Sequence, residues 1–92
     1  MIRVRITPDA HSDLTRLAEW LQPKSAHAAD SAAAALAKAI DSLREMPGRG
    51  RPIGRDVREL PVRFGRYGYV VRYRLTKDEV VVSGVRHVRE DR

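Results

Sequence analysis

Cysteine is absent from the 92 residues, so the chain has no disulfide framework and no thiolate with which to bind a metal. Long hydrophobic runs are absent too. The longest apolar-looking stretch, residues 26–40, is mostly alanine and carries His27, Asp30 and Lys38. It is a helix surface and not a membrane span. Near the start, Arg3, Arg5 and Asp9 interrupt every apolar run, so no signal peptide is expected and a soluble cytoplasmic protein follows. The three histidines fall on two predicted helices (His11, His27) and a strand (His87), without an i, i+4 pair. That arrangement excludes a metal site and a Ser/His/Asp triad. Gly48-Arg49-Gly50-Arg51 is too short for a phosphate-binding loop and does not lead from a strand into a helix, so no cofactor is expected. No repeat, low-complexity tract or linker divides residues 1–92, which read as a single domain. A chain this short buries only about 60–65% of its unfolded surface.

Charge is present in abundance but unevenly. Residues 1–43 hold five basic and five acidic side chains, which cancel, whereas residues 44–92 hold thirteen basic and seven acidic ones. The whole formal charge of +6 therefore lies in the second half. Arginine supplies most of it, and its planar fork suits bidentate contact with phosphate or carboxylate. A solvated surface accounts for such a bias in general; an anionic partner, nucleic acid or an acidic protein, is the sharper reading.

Ile2-Arg3-Val4-Arg5-Ile6 alternates apolar and basic residues as a half-buried strand does. Thr7 is placed to cap a helix with Pro8 at its first position, and Asp9 and Asp13 lie near its N-terminus. Ala10, Leu14, Leu17, Ala18 and Leu21 form one apolar stripe, and Pro23 ends the helix. Ser25 can cap a second, longer helix with a stripe of Ala29, Ala32, Ala33, Leu36, Ile40 and Leu43. Its alanine-rich face permits close approach, so an antiparallel helical hairpin is expected. Met46-Pro47-Gly48 stops it, and an arginine-, glycine- and proline-rich loop follows. Residues 57–62 begin the sheet, with Pro61 suggesting an edge or a bulge. Phe64 to Gly68 is a turn.

Two β-branched runs, residues 68–75 and 80–87, joined by Thr76-Lys77-Asp78-Glu79, then read as a closing hairpin. The order is β-α-α-β-β-β: an α+β fold with an antiparallel twisted sheet, an N-terminal strand and a helical hairpin packed on one face. Thr7-Pro8-Asp9-Ala10, the loop of residues 47–52, Val57-Arg58-Glu59-Leu60, Gly68 to Arg74 and Val85-Arg86-His87 together resemble the RelE/ParE toxin family of type II toxin–antitoxin systems, across nearly the whole chain. The resemblance implies a toxin held inactive by an antitoxin with an acidic, ParD-like C-terminal segment, in a role associated with plasmid stabilisation. A basic toxin and an acidic, partly disordered antitoxin tail are electrostatically matched. Trp20, Arg58, Arg63, Arg72 and Arg74 are the candidates for antitoxin contact.

This family has two kinds of target, ribosome-bound mRNA and DNA gyrase. In many mRNA-cleaving members the third strand resembles Gly-Tyr-Arg-Leu-Val-Tyr, with its arginine aimed at the scissile phosphate. The matching residues here are Gly68-Tyr69-Val70-Val71-Arg72-Tyr73, so valine stands at that place. That branch also tends to place a tyrosine or histidine close to the C-terminus as acid or base. After His87 only Val88-Arg89-Glu90-Asp91-Arg92 remain, and related gyrase-directed toxins carry a histidine there as well. The resemblance thus favours the ParE branch, which inhibits gyrase by binding, without catalysis. Arg86, His87, Arg89 and Arg92 are the candidates for target contact. If the protein is instead a ribosome-dependent endoribonuclease, Arg72, Arg86 and His87 are its candidate catalytic groups. A homologue that has lost activity is the third possibility.

Overall fold

The computed structural model describes residues 1–90. Strand β1 (Arg3–Ile6) leads into helix α1 (Pro8–Leu21) and helix α2 (Ala26–Ser42). Strands β2 (Arg51–Gly54), β3 (Val57–Val62), β4 (Tyr69–Leu75) and β5 (Glu79–His87) follow. Both helices begin where the polar caps place them. The Thr7 hydroxyl accepts from the Ala10 N–H at 3.2 Å and the Ser25 hydroxyl from Ala28 at 3.0 Å, each satisfying a donor that the first helical turn leaves open.

One five-stranded sheet, ordered β1-β5-β4-β3-β2, carries the helices on one face. The expected α+β fold is thus observed, with two features beyond that reading. Strand β1 pairs with β5 in parallel, Arg3 opposite Glu79 through Ile6 opposite Val82, while β2 to β5 are antiparallel. Parallel pairing lets β1 run directly into α1, and the Thr7 N–H continues the ladder to the Val82 carbonyl at 3.0 Å. The second feature is β2, which lies in the segment expected to be loop. All four of its residues are exposed, so no apolar alternation marks it, and its pairing with β3 holds it in place. It pairs only with Val57, Arg58 and Glu59, which leaves Pro61 on an outer edge where its missing N–H costs nothing.

Alternation sorts β4 cleanly: Tyr69, Val71 and Tyr73 are buried under the helices, and Arg72 and Arg74 face solvent. On β5 the alternation breaks. Arg72 pairs with Gly84 and Tyr73 with Val82, so Ser83 is bulged out of the ladder. Val80 and Val82 are buried before the bulge and Val85 after it, which shows the change of parity. The helices complete the core with Leu17, Leu36, Ile40 and Leu43. Within the expected stripes, Leu14 is only half-buried and Ala18 and Ala33 are exposed, because the two alanines line an open groove between α1 and α2. Asp13 and Ala39 are buried in addition.

The β3–β4 turn depends on Gly68, whose φ is +104°; a Cβ there would lie 2.3 Å from the Val62 carbonyl oxygen. The loop after α2 is anchored from below. The Tyr73 hydroxyl donates to the Pro47 carbonyl and accepts from the Gly50 N–H, both at 2.8 Å. A Cβ on Gly50 would come within 2.7 Å of that hydroxyl, so glycine is the residue the contact allows.

Candidate functional site

On the open face of the sheet, β3, β4 and β5 place Glu59, Arg72 and Arg86 side by side, since Glu59 is opposite Arg72 and Arg86 is opposite Val70 one pleat away. Glu59 is only 5% exposed, and three arginine side chains reach its carboxylate. Arg72 brings Nη2 to 2.9 Å and Nε to 3.3 Å of Glu59 Oε2. Arg86 reaches the same oxygen at 3.8 Å, and Arg51 reaches Oε1 at 3.7 Å. One carboxylate therefore organises three guanidiniums and neutralises one, leaving two net positive charges in the array. Arg72 and Arg51 keep more than half of their side-chain surface in water, so they can contact an anion without first breaking the array. Glu59 was not among the residues singled out in the sequence. Its signal was available only as a lone acid in an arginine-rich strand pair.

The other end of β5 is organised differently. Strand β1 stops opposite Val82, so β5 has a free edge from Ser83 onward. Two carboxylates close it: Asp13 Oδ2 accepts from the Val85 N–H at 2.9 Å, and Glu90 Oε1 from the His87 N–H at 2.6 Å. Arg16 ties them together, bonding Asp13 Oδ1 at 3.4 Å and Glu90 Oε2 at 2.5 Å. Capping edge donors with side chains keeps another strand from pairing there. It also folds the segment after His87 back on the molecule, with Val88 N–H on the Gly68 carbonyl and Glu90 N–H on that of His87.

The folded-back segment makes one wall of a cleft of about 600 Å³, lined by Arg16, Leu17, Trp20, Tyr67, Tyr69, His87, Arg89 and Glu90. The His87 ring meets Tyr69 edge-on at 5.4 Å between centroids and Tyr67 at 6.0 Å, and its Nδ1 accepts from the Arg89 N–H. Burial first, and then the Glu90 carboxylate, raise the Tyr69 phenol above its ordinary value. Trp20 and Tyr67, 59% and 46% exposed, stand at the mouth.

These positions regroup the residues selected from the sequence. Arg72 and Arg86 come together, but His87 does not join them. The bulge at Ser83 turns Arg86 to the open face and His87 to the helix side, opposite Tyr69. Trp20, selected for antitoxin contact, shares a cleft with His87 and Arg89, selected for target contact. Arg58 is committed to the fold: its Nη1 donates to the carbonyls of Gly50 at 2.6 Å and Gly48 at 3.0 Å. Arg74 lies two residues beyond Arg72 on the same face, and Arg63 is exposed just after β3. Arg92 lies outside the described residues.

Comparison with known proteins agrees with this architecture. The family model for the "ParE toxin of type II toxin-antitoxin system, parDE" matches residues 4–92. Two toxins of Caulobacter vibrioides are similar over all or nearly all of their length. Toxin RelE3 is 38% identical over 92 residues, all of both chains; Toxin RelE1 is 39% identical over 89 residues, 97% of this chain and 96% of that one. A solved structure from the chromosomal ParDE toxin–antitoxin system of P. aeruginosa has the same fold. It superposes with a TM-score of 0.79 at 17% identity, covering 96% of this chain and 97% of the other.

Proposed function

This chain belongs to the ParE toxin family of type II toxin–antitoxin systems, and from that premise we propose that it acts by binding DNA gyrase and blocking its cycle, without catalysis of its own. The observation that carries this reading is the separation of His87 from Arg72 and Arg86 by the thickness of the sheet. Cleavage of a ribose phosphodiester needs a general acid or base within hydrogen-bond reach of the atoms whose charge the arginines would stabilise. His87 instead spends its ring on Tyr67 and Tyr69. Val70, at the place where the nuclease branch has an arginine, supports the same conclusion from the sequence.

In this reading the protein is held inactive by an antitoxin. The antitoxin's acidic segment is drawn by the cations of the second half. Its amphipathic helix fits the apolar groove between α1 and α2, where Ala18, Ala33 and Leu36 lie. The convergence of Glu59, Arg72 and Arg86 favours one alternative, a ribosome-dependent endoribonuclease acting from the open face. One pair of assays separates the two. The purified protein should block gyrase supercoiling or stabilise cleaved DNA while leaving ribosome-bound message intact. Codon-specific cutting of message in the ribosomal A site, lost in Arg72→Ala, would replace the gyrase reading with the nuclease.

A further inference from the structure

We infer that the cleft between Trp20 and Tyr67 receives an acidic segment of the target, anchored by one aromatic or aliphatic side chain. The inference rests on the gyrase reading and names the contact it requires.

Scattered exposed aromatics need no explanation, but two at the mouth of one cleft do. Here each also carries a cation. Lys24 Nζ sits 4.0 Å from the centre of the Trp20 ring, and the Arg89 guanidinium 4.7 Å from that of Tyr67. Among the described residues no carboxylate forms an ion pair with either cation. Arg89 lines the cleft itself, where an incoming carboxylate can reach it, while Lys24, beside Trp20, also donates to the Trp20 carbonyl at 3.3 Å. The one carboxylate in the lining, Glu90, is already held by Arg16 and the His87 N–H. The cleft therefore presents an apolar interior with net positive charge at its entrance. Its volume suits an anchor side chain and its immediate neighbours, and aromatic and arginine positions of this kind dominate binding energy at interfaces.

The walls are also set in advance. Arg89 Nη1 donates to the Tyr67 hydroxyl at 2.7 Å, Val88 is tied to Gly68, and Glu90 is tied to α1 through Arg16. A partner entering such a cleft orders little of the toxin, which lowers the entropic cost of association. The groove between α1 and α2 differs in lacking cations paired with aromatics, which suits an amphipathic antitoxin helix better than an acidic anchor.

Trp20 is the only tryptophan in the chain, so 5-fluorotryptophan labelling gives one fluorine resonance that reports on the cleft alone. Adding gyrase holoenzyme should shift or broaden that line. Trp20→Ala and Arg89→Glu should each raise the concentration for half-inhibition of supercoiling about thirtyfold, the loss expected of a central anchor. Arg89→Lys should retain most of the inhibition. Antitoxin affinity of all three, measured by calorimetry, should fall by clearly less than the inhibition does, and an unchanged melting temperature verifies folding. A fluorine line unmoved by saturating gyrase, or inhibition undiminished in both Trp20→Ala and Arg89→Glu, overturns the inference while the gyrase reading stands. Lost antitoxin binding with inhibition intact assigns the cleft to the antitoxin and overturns it equally. Absence of gyrase inhibition in the wild type overturns the functional reading first, and this inference with it.

Discussion

Within seven residues β4 serves two surfaces of opposite character. Tyr69, Val71 and Tyr73 are buried beneath α1 and α2, whereas Arg72 and Arg74 stand in water between them. The same backbone ladder supports both sets, and a slip of one residue would exchange them, burying guanidiniums and exposing two tyrosines. The covered face therefore fixes the register on which the charged face depends. Neighbours are chosen differently on the two sides. Beneath the helices, close packing of apolar groups does the selecting. On the open face a single buried carboxylate, Glu59, gathers cations from three other places in the chain. One face holds the fold together and the other holds charge in position.

The contrast can be tested most strongly from the covered side. Leu36, 4% exposed, sits where α2 meets the core. Leu36→Ala should cost about 2–5 kcal/mol in urea unfolding, a large share of what so small a domain possesses. A loss under about half a kilocalorie would mean that α2 contributes its alanines and not its leucine to the packing. Tyr73→Phe comes next. It removes no apolar contact but orphans the buried Gly50 N–H and the Pro47 carbonyl, so about 1–3 kcal/mol should be lost. Hydrogen exchange should show the loop of residues 46–50 opening before the sheet does.

On the open face stability should barely respond. Arg72 is half exposed and Glu59 retains Arg51 and Arg86, so Arg72→Ala should change stability by less than about 1 kcal/mol. Its effect belongs in kinetics: association with an antitoxin of the acidic kind proposed above should slow severalfold at low salt, the difference fading as ionic strength rises. A large stability loss with an unchanged association rate would reverse the roles assigned to the two faces. The smallest effect concerns pH. The phenol of Tyr69 is raised in the fold, so folding disfavours its ionised form. Stability from this group is intact below the ordinary tyrosine range near pH ~10 and declines as pH rises through and beyond it. Tyr69→Phe should flatten that alkaline limb relative to wild type in pH-dependent melts.

Sequence by itself determined whatever depends on neighbours within a turn or a pleat. Thr7 and Pro8 start α1, Ser25 starts α2, period-two alternation marks β1 and β4, and charge accumulates after residue 43. Arg72 and Arg86 could be placed on the two strands of one hairpin, though not on one face of it. Only tertiary structure decided how distant pieces meet. Parallel pairing of β1 to β5 joins residues 76 positions apart at Arg3 and Glu79, a choice that no local pattern expresses. Strand β2 exists because β3 offers it a ladder, not because its own exposed residues favour extension. Burial of Asp13 and Glu59 runs against their polarity and is possible only where Val85 N–H, Arg16 and the three arginines are supplied from elsewhere. The bulge at Ser83 matters most for function. Strict alternation from Val80 would turn Arg86 inward and His87 outward, and one unpaired residue reverses both. Periodicity records which face a side chain takes only while the ladder is unbroken; where it breaks is decided by the strands and helix on either side.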